Sequence, residues 1–209
     1  MINRCWIFGA LAAWMLAFSG MVAAQAGVTH VSVQVRDAAG LPLANAVVQL
    51  DSAAAARASR AGPQQRIVQS QRRFVPDQIV VTVGTAVNFP NHDTVRHHVY
   101  SFSPAKRFEL QLYIGTPAAP VVFDRPGVVV LGCNIHDEML AWVHVVRTPH
   151  FGQTGPDGQI VLTGVPLGVY ELGVWHRRLP EGNAGLRQNL RVSASTPNQL
   201  VSLNTQASQ

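Results

Sequence analysis

The 209-residue chain is 47% hydrophobic and 13% charged, with a formal net charge of +5, and its length is enough for two small all-β units. Of its 16 basic residues only Lys106 is a lysine, and they are scattered, with short pairs such as Arg72-Arg73, Lys106-Arg107 and Arg177-Arg178. That pattern excludes a nucleic-acid-binding stripe and leaves a mildly basic, solvated surface.

The chain opens on Arg4, an apolar run from Trp6 to Val22, and small residues ending in Ala24-Gln25-Ala26. This reads as a secretory signal peptide over residues 1–26 with an A-x-A cleavage pattern. The alternative is an uncleaved membrane anchor, since the run is near the short end of the about 17 to 25 residues that span a bilayer. Cleavage removes Arg4 and Cys5, leaving a net charge of +4 (15 basic against 11 acidic residues) and Cys133 as the lone cysteine. An unpaired thiol in an oxidising compartment is a liability unless it is buried or coordinated.

Beyond the leader, short strands alternate with turn residues, and no stretch keeps a helical period for three turns. Val31, Val33 and Val35 alternate with polar residues, Asp37-Ala38-Ala39-Gly40 turns the chain, and Ala46 to Leu50 follows, which predicts a hairpin with one buried face. Ser52 to Gln65 is an Ala/Ser/Arg-rich linker or loop. From Ile67 onward strands are expected at 74–76, 79–83, 87–89, 97–102, 108–110, 121–123, 128–131 and 141–146, punctuated by Gly84, Pro90, Pro120 and Pro126-Gly127. A third section supplies further strands at 158–162, 169–175, 190–192 and 200–203. Many short strands at this spacing imply antiparallel sandwiches.

The chemistry concentrates in Cys133-Asn134-Ile135-His136-Asp137-Glu138-Met139, with His97 and His98 upstream. A thiolate, an imidazole and a thioether on one loop between two strands can face one point, and an upstream histidine completes the set. Two imidazoles, a thiolate and a weak axial thioether suit a single redox-active copper ion. Zinc is the chemical competitor, but a thioether is too soft for it. Cys133 as a nucleophile with His136 as base is the catalytic alternative. His30, His92, His144, His150 and His176 read as surface or cap residues, His144 pointing outward from its strand. Trp142 and Trp175 read as core or edge packing, while Tyr100, Phe102 and Phe108 are candidates to shield the metal or simply to fill the core.

Three features in order resemble the cupredoxin family, the plastocyanin and amicyanin type of small blue copper protein. They are V-x-F-x-N-x-D at Val87 to Asp93, a histidine followed two positions later by valine at His97 and Val99, and C-x-x-H-x-x-M at Cys133, His136 and Met139. The likeness covers about Phe74 to Arg147 and extends to proteins known as methylamine-utilisation proteins. By resemblance, His97, Cys133 and His136 are the equatorial ligands and Met139 the axial one. His98 then takes the place of an asparagine that helps fix the cysteine loop. Ile135 and Leu131 depart from the family's proline and aromatic residue, which leaves the reduction potential open. Asp37 to Leu50 and Pro156 to Tyr170 resemble a carboxypeptidase-regulatory-like, prealbumin-type sandwich.

Together these imply an all-β protein: a cupredoxin-like Greek-key β-sandwich inserted into, or flanked by, a second small Ig-like or prealbumin-like β-sandwich. The expected divisions are a signal peptide at 1–26, the first part of the Ig-like sandwich at 27–52, a linker at 53–65, the cupredoxin section at 66–148 and the second part at 149–209. The implied role is a periplasmic type 1 copper protein holding one copper ion and carrying single electrons, with no catalytic residue. Its expected partner is a redox protein such as a c-type cytochrome or an amine dehydrogenase. No nucleic acid, no membrane after cleavage, and a monomeric state are expected. The alternative is copper trafficking or sensing, with the outer sandwich recruiting a partner. A copper oxidase or nitrite-reductase fragment would need a second cluster with paired histidines, and the chain has no His-x-His motif.

Overall fold

The computed structural model describes residues 27–180 and 182–205; the signal peptide expected at 1–26, with Cys5, lies outside them. The chain is nearly all β, 52% strand and 3% helix. Among the described residues no helix is long and apolar enough to cross a membrane.

Strands segregate into two groups, each around its own core. One sheet sets β1 (Val28–Asp37) between β14 (Gln159–Pro166) and β17 (Gln199–Leu203). It faces a second sheet of β13 (Phe151–Gln153), β2 (Val47–Asp51), β15 (Gly168–Trp175) and β16 (Leu186–Val192), in that order. Val31, Val33, Val35, Val48, Leu50, Leu172, Val174 and Val201 fill the space between them. This outer core therefore draws on residues from both ends of the described chain.

The inner group comprises β3 (Gln65–Arg66), β4 (Val68–Ser70), β5 (Arg73–Val75), β6 (Gln78–Thr82), β7 (Thr85–Asn88), β8 (His97–Ser101), β9 (Phe108–Tyr113), β10 (Val121–Phe123), β11 (Gly127–Leu131) and β12 (Ala141–Val146). Its sheets run β10-β7-β3 and β11-β12-β6, with β4-β5 and β8-β9 as two-stranded pairs. They enclose Ile67, Phe74, Phe89, Val99, Phe123, Val129, Leu131 and Val143. In the linker, a six-residue helix α1 (Ala53–Ala58) forms because the Ser52 hydroxyl caps it, accepting the Ala55 N–H at 3.0 Å.

The Asp37 turn forms as its sequence predicts: the Asp37 carboxylate accepts the Ala39 and Leu41 N–H groups, and Gly40 takes φ +80°. The hairpin does not. β1 pairs with β14 and β17, and β2 with β13 and β15, so the chain crosses from one sheet to the other after the turn. The reason is burial on both sides of β2. Val48 and Leu50 enter the outer core, while Val47 and Gln49 face β12 of the inner group beside His144. A strand covered on both faces belongs in the middle of a layered stack.

That stacking also corrects the outward reading of His144. Its side chain leaves the inner core but meets Trp175 of β15 edge-on, with ring centroids 5.3 Å apart, and is buried. Burial, reinforced by the Arg187 charge, pulls its pKa down to about 4. His176 is buried as well, its Nε2 on the Ala44 carbonyl at 3.1 Å. Trp175 is buried, and the Arg177 guanidinium lies over the partly exposed Trp142 at 5.6 Å from the ring centroid.

Candidate metal centre

The donor loop begins where β11 ends. Gly132 exchanges two backbone hydrogen bonds with Tyr100 of β8, each 3.0 Å. A Cβ at position 132 would lie 2.8 Å from the far end of the Tyr100 side chain, so any larger residue must displace that ring. The bridge draws the strand carrying His97 up to Cys133. Beyond it the Met139 N–H donates to the His136 carbonyl at 3.0 Å, closing a tight turn before β12.

Donor atoms of His97, Cys133 and His136 all lie within 4.8 Å of one another. Cys133 Sγ is 3.9 Å from His97 Nδ1, and the two imidazole centroids are 5.0 Å apart. His97 and Cys133 are buried and His136 is partly so. Met139 is 1% exposed and belongs to the same core cluster as Cys133. Ile135 and Leu140 stand exposed on either side of His136 and Met139.

His98 is turned away from this cluster. It shares a strand face with Tyr100 and Phe102, its ring 5.6 Å from Tyr100, and its Nε2 meets Glu109 Oε1 at 2.8 Å. The cysteine loop is therefore stitched by the Gly132–Tyr100 backbone bridge, and His98 is tied to β9. Phe102 shields nothing, since it is 74% exposed.

His97 is held from behind. Its Nε2 lies 2.7 Å from Asp93 Oδ2, and an anionic oxygen there accepts an N–H, which leaves the Nδ1 lone pair facing the sulfur. Asp93 in turn accepts the Gln71 N–H at 2.6 Å and the Arg72 N–H at 2.9 Å. Burial pushes the Asp93 carboxyl up, but those amide bonds and the His97 ring outweigh it and hold it below the ordinary carboxylate value. Asn91 organises the approach, donating to the Val95 and Tyr113 carbonyls and accepting the Asp93 N–H, each at 2.9 Å. Beneath lies Tyr113, which donates to the Phe89 carbonyl at 2.5 Å and accepts from Gln69. Its phenol is pushed up to about 12, chiefly by burial. Asp93 is the residue whose role the sequence leaves unread; its place in V-x-F-x-N-x-D marked it without revealing its bond.

The cluster suits a soft or borderline metal ion. His136 Nδ1 is buried without a hydrogen-bond partner, as a ligand nitrogen must be before it coordinates. A thiol and two imidazoles converging at one point match copper better than the oxygen-seeking ions.

No family model matches the chain, and no curated relative does. Solved structures give partial likenesses. A copper-containing nitrite reductase from Thermus scotoductus SA-01 is 22% identical over 40% of this chain, with TM-score 0.37, and the chain spans only 22% of its length. A purple cupredoxin from Nitrosopumilus maritimus is 22% identical, covering 39% of this chain and 99% of its own, with TM-score 0.35. A reduced amicyanin variant is 20% identical over 47% of this chain and 98% of its own, with TM-score 0.36. Likenesses this low carry no inference about function.

Proposed function

We propose that this chain is a periplasmic type 1 copper protein that carries single electrons between redox proteins. The observation supporting it is the convergence of donor atoms of His97, Cys133 and His136, all within 4.8 Å of one another, in the core that also buries Met139. In this reading His97, Cys133 and His136 hold one copper ion and Met139 is its weak fourth donor. When bound, copper supplies a one-electron couple between its two oxidation states. The side chains do the rest. The Gly132–Tyr100 bridge and Asp93 fix two donors before any ion arrives, so little need move between states. The core beneath, with Phe89 and Leu131, excludes water. His136 is the donor nearest solvent and marks the edge a partner approaches.

We take the partner to be a redox protein such as a c-type cytochrome or an amine dehydrogenase, met after export. The chain itself is non-catalytic in this reading. The two cores are two folding units, one at 66–148 and the other from 27–52 with 149–209. Adding Cu(II) to the exported chain should produce an intense thiolate-to-copper absorption band and a narrow copper hyperfine pattern in EPR. Absence of the band, or its survival in Cys133→Ser, defeats the reading.

The exposed flanks of the donor loop, Asn134, Ile135, Asp137 and Glu138, favour one alternative, in which the ion itself is handed to a partner. Copper that leaves within seconds to a chelator, with slow electron self-exchange, would select it.

A further inference from the structure

We propose that Asp93 is the positioning residue of this centre, set in place by the turn at Gln71-Arg72, and that its charge biases the site toward Cu(II). The inference deepens the copper reading and rests on it.

Three hydrogen bonds converge on one carboxylate. Oδ1 accepts from Gln71 N at 2.6 Å, and Oδ2 accepts from Arg72 N at 2.9 Å and from His97 Nε2 at 2.7 Å. Gln71 and Arg72 form the two-residue turn between β4 and β5, and both sit at positive φ, +53° and +57°. That is the hairpin conformation that usually calls for asparagine or glycine, so two long side chains are held there at a cost in strain. Successive N–H groups of such a turn aim at one point and make an anion-binding concavity. Here the anion is Asp93, some twenty residues along the chain.

A carboxylate clamped by two amides cannot rotate away from His97. Of the two His97 ring nitrogens it therefore accepts from Nε2, and the proton stays on that nitrogen. Nδ1 keeps its lone pair and faces Cys133 Sγ at 3.9 Å. Hydrogen-bonded carboxylates behind ligand histidines fix ring orientation and raise ligand basicity, and their loss costs about 10- to 100-fold in metal affinity. A fixed negative charge behind the ring also attracts the doubly charged ion more than the singly charged one.

The test compares wild type with Asp93→Ala and Asp93→Asn in the full exported chain. Imidazole 15N shifts of the metal-free protein read the His97 tautomer, and the same spectra report whether the variant is folded. Cu(I) and Cu(II) affinities by chelator competition read the bias. The proposal expects one Nε2–H tautomer in wild type and a mixture in Asp93→Ala. In Asp93→Asn it expects Cu(II) affinity to fall about tenfold more than Cu(I) affinity. Asp93→Glu, which keeps the charge, should restore most of that difference. A single unchanged tautomer in Asp93→Ala, or equal losses for both ions in Asp93→Asn, overturns the proposal. Failure of wild type to bind either ion overturns the copper reading instead and removes the bias, while the tautomer still decides whether Asp93 positions His97.

Discussion

The outer core packs valine and leucine, with Tyr170 its one aromatic residue among those described, whereas the inner core packs Phe74, Phe89 and Phe123 and ends at one rim in Cys133 and Met139. Their polar bonds differ in the same way. In the outer group they are spread out, tying loops to strands and closing turns, as where the buried Thr154 hydroxyl donates to the Leu43 carbonyl and the Tyr170 hydroxyl to the Pro166 carbonyl. In the inner group they gather behind the donors, through Asp93, Asn91 and Gln69. An aliphatic core needs volume filled, and many combinations fill it. Donors need direction, and direction comes from hydrogen bonds. The outer core is filled volume, and the inner core adds directed polar bonds at one rim.

The sharpest way to break this comparison is to open each core separately. Phe123→Ala should cost about 3–5 kcal/mol and Leu172→Ala about 2–5 kcal/mol. Hydrogen exchange should show Phe123→Ala weakening protection in β7 and β11 and Leu172→Ala weakening it in β1 and β2. Equal loss across both groups from either variant would make them one cooperative unit.

The next largest effect lies at the seam. His144 is kept neutral in the folded chain, with its pKa at about 4, while an unfolded histidine titrates near 6.5. Its stabilising contribution is complete above about pH 6.5 and is lost progressively as pH falls toward 4, because only the unfolded state takes up the proton in that window. The loss approaches roughly 3 kcal/mol. Urea midpoints measured between pH 7 and 4 should fall less in His144→Phe than in wild type, and identical slopes would refute the assignment.

A smaller effect is expected at the bridge. Gly132→Ala forces a methyl group against the Tyr100 ring and should cost about 1–3 kcal/mol, visible as a lower melting temperature. Adding Tyr100→Val should recover part of it. The smallest belongs to Arg177, which pairs with Asp77 and covers Trp142 at a partly exposed site. Arg177→Ala should cost under about 1 kcal/mol and weaken further with salt.

Local chemistry was legible in the sequence, and layering was not. The Asp37 turn, most strand positions and the convergence of His97, Cys133 and His136 follow from patterns a few residues long. The β1–β2 hairpin failed because alternation in β1 shows that one face is buried without showing what covers it. His144 failed for the same reason: it points outward from one core, and only the second group makes that outside an inside. Asp93 stayed unread because its anchor is a turn some twenty residues earlier, built from Gln71 and Arg72, two residues that advertise no left-handed turn.

β1 has neither of its neighbours nearby in the chain. Gln34 bonds to the Asp157 carbonyl across 123 positions, and Val33 to Asp37 lie beside Gln199 to Leu203 in parallel register. During synthesis β1 emerges long before either partner, while the inner strands find theirs within a shorter span. The backbone edges of β1 must therefore wait, unpaired, until the later strands arrive. A chain halted before residue 199 would leave β1 with one open edge, a template for pairing with another copy.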